Sequence, residues 1–228
     1  MRTAASLAAL MFILICEKVH GQQFAQAQAP PQTSTNFESS STLTLQPSQP
    51  NGMWDGAVGE GMRQRAMEAE AVIGAGLGIR DGSLYKHNLA LSELRFGRIV
   101  SRVLGQGCWY QGNFEFLGEL FVGSQISPSP RYFVGFAPGI RYEFATGTRW
   151  VPFIDGSAGV VGTDIGHPDL GANFEFSLQG GSGVKYYFRD NAAFIFQYRY
   201  LHFSNGGLYI HNKGINVNVL LIGASWSF

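Results

Sequence analysis

His202 and Ser204 stand two residues apart in the run 194–204, FIFQYRYLHFS. In an extended strand, side chains alternate between faces. The pair therefore shares a face with Phe194, Phe196, Tyr198 and Tyr200, while Ile195, Gln197 and Arg199 share the other. Backbone positions i and i+2 are about 6.6 Å apart, close enough for an imidazole and a hydroxyl to meet. A serine becomes a nucleophile when a base in hydrogen-bond reach takes its proton and a third group fixes the tautomer of that base. Counting back by twos from Phe228 gives Trp226, Ala224, Ile222, Leu220, Asn218 and Asn216, a second apolar ladder that turns polar at its far end. If the two strands are antiparallel neighbours, a hydroxyl, an imidazole and an amide meet at the rim of an apolar surface. That arrangement suits an enzyme that works on lipid. H-x-S alone is a weak signal, and a histidine on a strand face is more commonly an interfacial or packing residue.

The elements that would position this pair are strands. Eight strand-like runs follow one another at approximately 66–79, 85–101, 109–124, 131–144, 149–161, 172–188, 191–204 and 215–228. Thirty glycines and eighteen phenylalanines against 14% charged residues suit many closely packed strands. The connections at 145–148 and 189–190 read as tight turns. Those around Pro128, at 162–171 and at 205–214 read as longer loops rich in Gly, Pro and Asn. An even strand number, uneven connections and a closing aromatic residue predict an all-β fold, an eight-stranded antiparallel transmembrane β-barrel of the outer-membrane type. Each run reaches the roughly 9–11 tilted residues that cross a bilayer, and closure satisfies every backbone group in lipid. Parity alone also admits a secreted lipocalin-like barrel with the aromatic ladders turned inward. In the membrane barrel, His202 and Ser204 face lipid near the outer leaflet, where polar groups are costly and usually functional.

Ahead of the barrel, Arg2 precedes an apolar run, 4–16, that is too short to span a membrane comfortably. The predicted organisation is a secretory signal peptide at 1–21, a Gln/Ala/Pro/Ser-rich disordered leader at 22–53, and the barrel at 54–228. Residues 54–61 (WDGAVGEG) read as an ordered lead-in without a part in chemistry. Sixteen basic and sixteen acidic residues cancel, which argues against nucleic acid or a strongly acidic substrate as partner.

The run His202-Phe-Ser204-Asn205-Gly-Gly207-Leu, followed by Asn212-Lys-Gly214-Ile-Asn216, resembles the signature of the outer-membrane lipid A 3-O-deacylases. The resemblance is close over the last two strands and loose over the rest of the barrel. It implies an esterase releasing the acyl chain at the 3 position of lipid A, with Ser204 as nucleophile and His202 as general base. Asn205 and Gly207 would be oxyanion donors. It implies a membrane-embedded protein acting on lipopolysaccharide, with no cofactor, and leaves a homodimer open. The chain departs at Asn216, where the characterised enzymes carry a glutamate. An amide can fix the tautomer of an imidazole but cannot stabilise the imidazolium by charge. Glu175 is a candidate substitute acid. Asp164, His167 and Asp169 read either as a cation loop or as a solvated turn. His211 and Lys213 read as contacts to lipid phosphates or as a plain solvated loop. The alternative function is a non-catalytic outer-membrane barrel, an adhesin or scaffold with a degenerate site, and a soluble lipid carrier is a third.

Overall fold

The computed structural model describes residues 52–228. The expected signal peptide and nearly all of the leader lie outside the described residues. Eight strands follow in order: β1 (Met67–Ile79), β2 (Asn88–Ile99), β3 (Gly112–Ser127), β4 (Arg131–Phe144), β5 (Trp150–Thr163), β6 (Phe174–Arg189), β7 (Ala192–Ser204) and β8 (Ile215–Ser227). Each pairs antiparallel with the next, and β1 pairs with β8 to close the barrel. The period-two pattern explains the strands. Along β7, Phe194, Phe196 and Tyr198 are exposed on the outer wall, whereas Ile195, Gln197 and Arg199 are buried inside. Aromatics outward and charges inward is the reverse of a lipid carrier's parity.

The interior is packed in three zones. Toward the end that carries His202, Phe203 lies against Phe133 and Phe121, with ring centroids 5.5 and 6.2 Å apart, in an apolar cluster with Leu89, Leu170 and Ile215. The middle is ionic. Arg199 Nη2 lies 2.9 Å from Glu119 and 3.0 Å from Asp155, Arg95 Nε donates to Glu93 at 2.8 Å, and Arg141 pairs with Glu70 and Glu115. Lys185 is held by Glu68, Glu70 and Glu143. Buried charges need such partners, because an unpaired one is costly in a low dielectric. At the opposite end, Trp54, Met62, Ile99, Val151 and Tyr187 form a second apolar cluster. The lead-in segment builds this end. Trp54 bridges to Met62, its ring meets Tyr187 edge-on at 4.8 Å, and its Nε1–H donates to Asp190 O at 2.7 Å. An eight-stranded barrel filled in this way is not a pore.

Two expectations about connections need correction. The segment after β3 is only residues 128–130, and the longest connection, residues 100–111, lies at the same end as the tight turns. Pro128 and Pro130 stop the ladder abruptly instead of lengthening the loop. Residues 100–111 fold back on their own strand through the Leu104–Gly112 bridge, beside Asn113, whose side chain accepts the Met62 N–H at 2.8 Å. Strand β2 begins at Asn88 instead of near Tyr85, since Tyr85 and His87 belong to a loop contact described below.

Candidate active site on the outer wall

Strands β7 and β8 place His202 directly opposite Asn216. Both lie on the outward face, at the end where the 205–214 loop joins the strands. His202 Nε2 lies 2.9 Å from Ser204 Oγ, and its Nδ1 lies 2.6 Å from Asn216 Oδ1. The same Oδ1 accepts the Tyr200 hydroxyl at 2.7 Å, and Asn216 Nδ2 donates to the main-chain carbonyl of Asp81 at 2.9 Å. Asn216 is buried, while His202 and Ser204 are half-buried. Gly214 packs flush under the imidazole. At φ +71° it takes a left-handed conformation, and a Cβ there would come within 2.8 Å of His202 Cε1. One step further along the wall, Tyr198 O–H donates to Asn218 Oδ1 at 2.6 Å, and below it the surface becomes Phe196, Phe194, Leu220 and Ile222. A polar cluster therefore caps an apolar wall.

After Ser204, the buried Asn205 organises the loop. Its N–H donates to Asn212 Oδ1 and its Oδ1 accepts the Gly207 N–H, both at 2.9 Å, while its Nδ2 is buried without a partner. Farther on, the Lys213 and Gly214 N–H groups donate to the main-chain carbonyl of Asp169. The Asp169 carboxylate accepts the Leu84 N–H at 2.6 Å and the Tyr85 N–H at 3.1 Å, and lies 2.9 Å from His87 Nε2. Asp169 is thus buried and ties together the loops after β1, β5 and β7, which corrects the reading of its segment as a solvated turn. Burial pushes its carboxyl up, but the Leu84 N–H, His87 and the Tyr85 N–H outweigh burial and hold it below the ordinary value.

Other expected residues take lesser places. Asp164 is exposed and accepts the Tyr132 N–H, and His167 meets His211 edge-on with ring centroids 4.6 Å apart. Lys213 is exposed. Glu175 does not serve as a substitute acid: it lies on the inner face of β6, where its Oε1 accepts the Ala172 N–H at 3.1 Å. Among the described residues, Glu68, Glu115 and Glu143 are spaced to hold a metal ion, but Lys185 Nζ already bonds Glu68 and Glu143. Sequence reading passed over Asp81, the role of Tyr200 and the clasp at Asp169. Tyr200 carried a signal, since it shares the face of His202 two residues earlier. Asp81 carried none, because it reaches Asn216 only through closure of β1 on β8, where Ile79 pairs with Asn216.

Comparison with known proteins agrees with this architecture. The crystal structure of the outer membrane enzyme PagL aligns over 67% of this chain and 97% of its own, with a TM-score of 0.50 and 24% identity. That of Neisserial surface protein A aligns over 72% and 96%, with a TM-score of 0.50 and 17% identity. These likenesses establish the barrel fold. No significant match was found among curated proteins. The decisive match is in sequence: residues 102–225, from the segment before β3 nearly to the end of β8, fit the family described as lipid A 3-O-deacylase (PagL). The barrel with its polar cluster on the outer wall is an outer-membrane protein, and the chain belongs to the lipid A deacylase (PagL) family of hydrolases.

Proposed function

We propose that this protein removes the acyl chain esterified at the 3 position of lipid A, by a serine mechanism, in the outer leaflet. The observation that carries the reading is the linear contact Ser204–His202–Asn216 on the lipid-facing wall, with hydrogen-bond distances of 2.9 and 2.6 Å. A scaffold has no need of a half-buried hydroxyl and imidazole at that depth. His202 Nε2 takes the Ser204 proton as Oγ attacks the ester carbonyl carbon. It then returns that proton to the departing sugar oxygen, leaving an acyl-serine that water hydrolyses by the same steps. Asn205, directly after the nucleophile, and Gly207, two residues further on, are the proposed oxyanion donors. In the resting site their N–H groups bond neutral side-chain oxygens. Exchanging those for an oxyanion would give a stronger, charge-assisted bond in the transition state. The apolar wall below, from Phe196 to Ile222, would take the acyl chain.

Expression in a bacterium with ordinary lipid A, with Ser204→Ala in parallel, tests the reading. The lipid A mass spectrum is expected to lose one hydroxyacyl chain with the natural protein and to stay unchanged with the variant. An unchanged spectrum in both, with folded barrel present in the outer membrane, would overturn the proposal and leave a non-catalytic barrel as the better account.

A further inference from the structure

We propose that the main-chain carbonyl of Asp81 sets the tautomer of His202 by holding the Asn216 amide in one of its two orientations. The inference rests on the serine-hydrolase reading above. A side-chain amide carries an acceptor at one end and a donor at the other in nearly the same shape, so a half-turn exchanges them. With Oδ1 toward the ring, His202 Nδ1 must carry the proton. Nε2 is then the lone-pair nitrogen and accepts the Ser204 hydroxyl proton. With the amide reversed, an NH2 group would face Nδ1, Nδ1 would become the acceptor, and the proton would sit on Nε2 against Ser204 Oγ. That ring cannot act as a base toward the serine. A triad built on an amide therefore needs something that distinguishes its two ends.

Two groups touch the Asn216 amide besides His202. The Tyr200 hydroxyl, 2.7 Å from Oδ1, can donate or accept and so fits either orientation. The Asp81 carbonyl, 2.9 Å from Nδ2, can only accept, so the NH2 group must face it. Barrel closure delivers this carbonyl. Strand β1 ends at Ile79, paired with Asn216, and Asp81 follows two residues later, just before Gly82 turns the chain at φ +81°. A carboxylate at position 216 would need no such selection, because both of its oxygens accept. One of them would instead face the Asp81 carbonyl, oxygen against oxygen. The loop after β1 and the amide are thus a matched pair, and Asn216 is not simply an acid that lost its charge. Asp81 and Tyr200 act through Asn216 and are positioning groups.

The test is nitrogen NMR of the refolded barrel in detergent micelles with 15N-labelled histidine, the His202 signals being assigned by their loss in His202→Gln. At a pH where the ring is neutral, His202 is expected to carry its proton on Nδ1, against the preference of free histidine. Gly82→Pro cannot keep the positive φ and restricts residue 81 as well, so it moves the carbonyl. This variant is expected to lose the Nδ1–H form and to deacylate at least tenfold more slowly, while retaining the gel mobility of an unheated folded barrel. Asn216→Asp, which places a carboxylate where the amide lies, is expected not to raise deacylation at neutral pH. An Nε2–H ring in the natural protein, an unaltered Nδ1–H ring in folded Gly82→Pro, or a tenfold gain from Asn216→Asp would each overturn the inference. An Nδ1–H ring that depends on Gly82, in a protein that leaves lipid A unchanged, would instead sink the deacylase reading and keep the positioning role.

Discussion

At Asn216 one carbonyl oxygen receives both the imidazole and a tyrosine hydroxyl. Two donors match the two lone pairs of a carbonyl oxygen, so this small network is complete without a charge. What it lacks is the electrostatic support that a carboxylate gives to the imidazolium. Replacing the acid of a serine triad by its amide costs about 10⁴-fold in rate in proteases, where the amide also favours the wrong tautomer. An amide held in the productive orientation avoids the second loss and keeps only the first. Gly214 offers a separate check of how closely the ring is held. In Gly214→Ala, the new methyl group would meet His202 Cε1 at 2.8 Å, and the left-handed backbone adds roughly 1–2 kcal/mol of strain. Deacylation is expected to fall by at least tenfold, while the thermal unfolding of the barrel, followed by unheated-gel mobility, shifts only slightly.

Among the elements, the loops after β1, β5 and β7 meet at one residue. Asp169 gathers two N–H groups and His87 at its carboxylate, and its carbonyl receives the N–H groups of Lys213 and Gly214, next to the imidazole. Asp169→Ala strips the Leu84 and Tyr85 N–H groups and His87 of their acceptor, at about 1–3 kcal/mol for a buried donor left unmade, and frees the main-chain carbonyl that holds Lys213 and Gly214 from its anchor. Proteolysis of the 205–214 loop in intact cells is expected to accelerate, with deacylation slowed and the strands unaffected. The pH dependence has a definite sign. A carboxyl held below its ordinary value contributes stability at higher pH that is lost as pH falls through its folded value. The clasp should therefore hold through neutral and mildly acidic conditions and loosen only below about pH 4. Loop proteolysis as a function of pH measures this, and Asp169→Asn should remove that acid step.

For the molecule as a whole, stability runs through the buried charges. Arg141 lies among Glu70, Glu115 and Asp155, and its guanidinium carbon stands 4.4 Å from the centre of the Phe153 ring. Removing one partner of a buried pair leaves the other uncompensated. Arg141→Met is thus expected to destabilise the barrel by about 3–5 kcal/mol, read as a lower urea midpoint for unfolding from lipid vesicles. The ionic layer lies inward of the wall that carries the site, so surviving folded protein should keep its deacylation rate. The outer wall obeys different rules: its aromatic and aliphatic side chains face lipid, where they need no partner.

How much of this could be read from the chain alone follows from the range of each interaction. Alternation has a period of two residues, so the eight strands, the outward aromatic ladder and the shared face of His202, Ser204 and Asn216 are properties of short stretches. Near either end of the barrel that local rule weakened. Loop lengths around Pro128 and at 100–111 depend on what the connecting residues pack against, and composition does not report it. The fold decided which distant residues meet. Asp81 reaches Asn216 from 135 positions away because β1 closes on β8, Asp169 reaches Leu84 across 85, and Arg141 finds Glu70 across 71. None of these pairs shares a strand or a neighbouring stretch of chain, so no periodicity pairs them. The sequence by itself determined the barrel and the residues that could act as nucleophile and base. The tertiary structure decided what surrounds them, because a closed sheet makes neighbours of residues whose separation along the chain leaves no local trace.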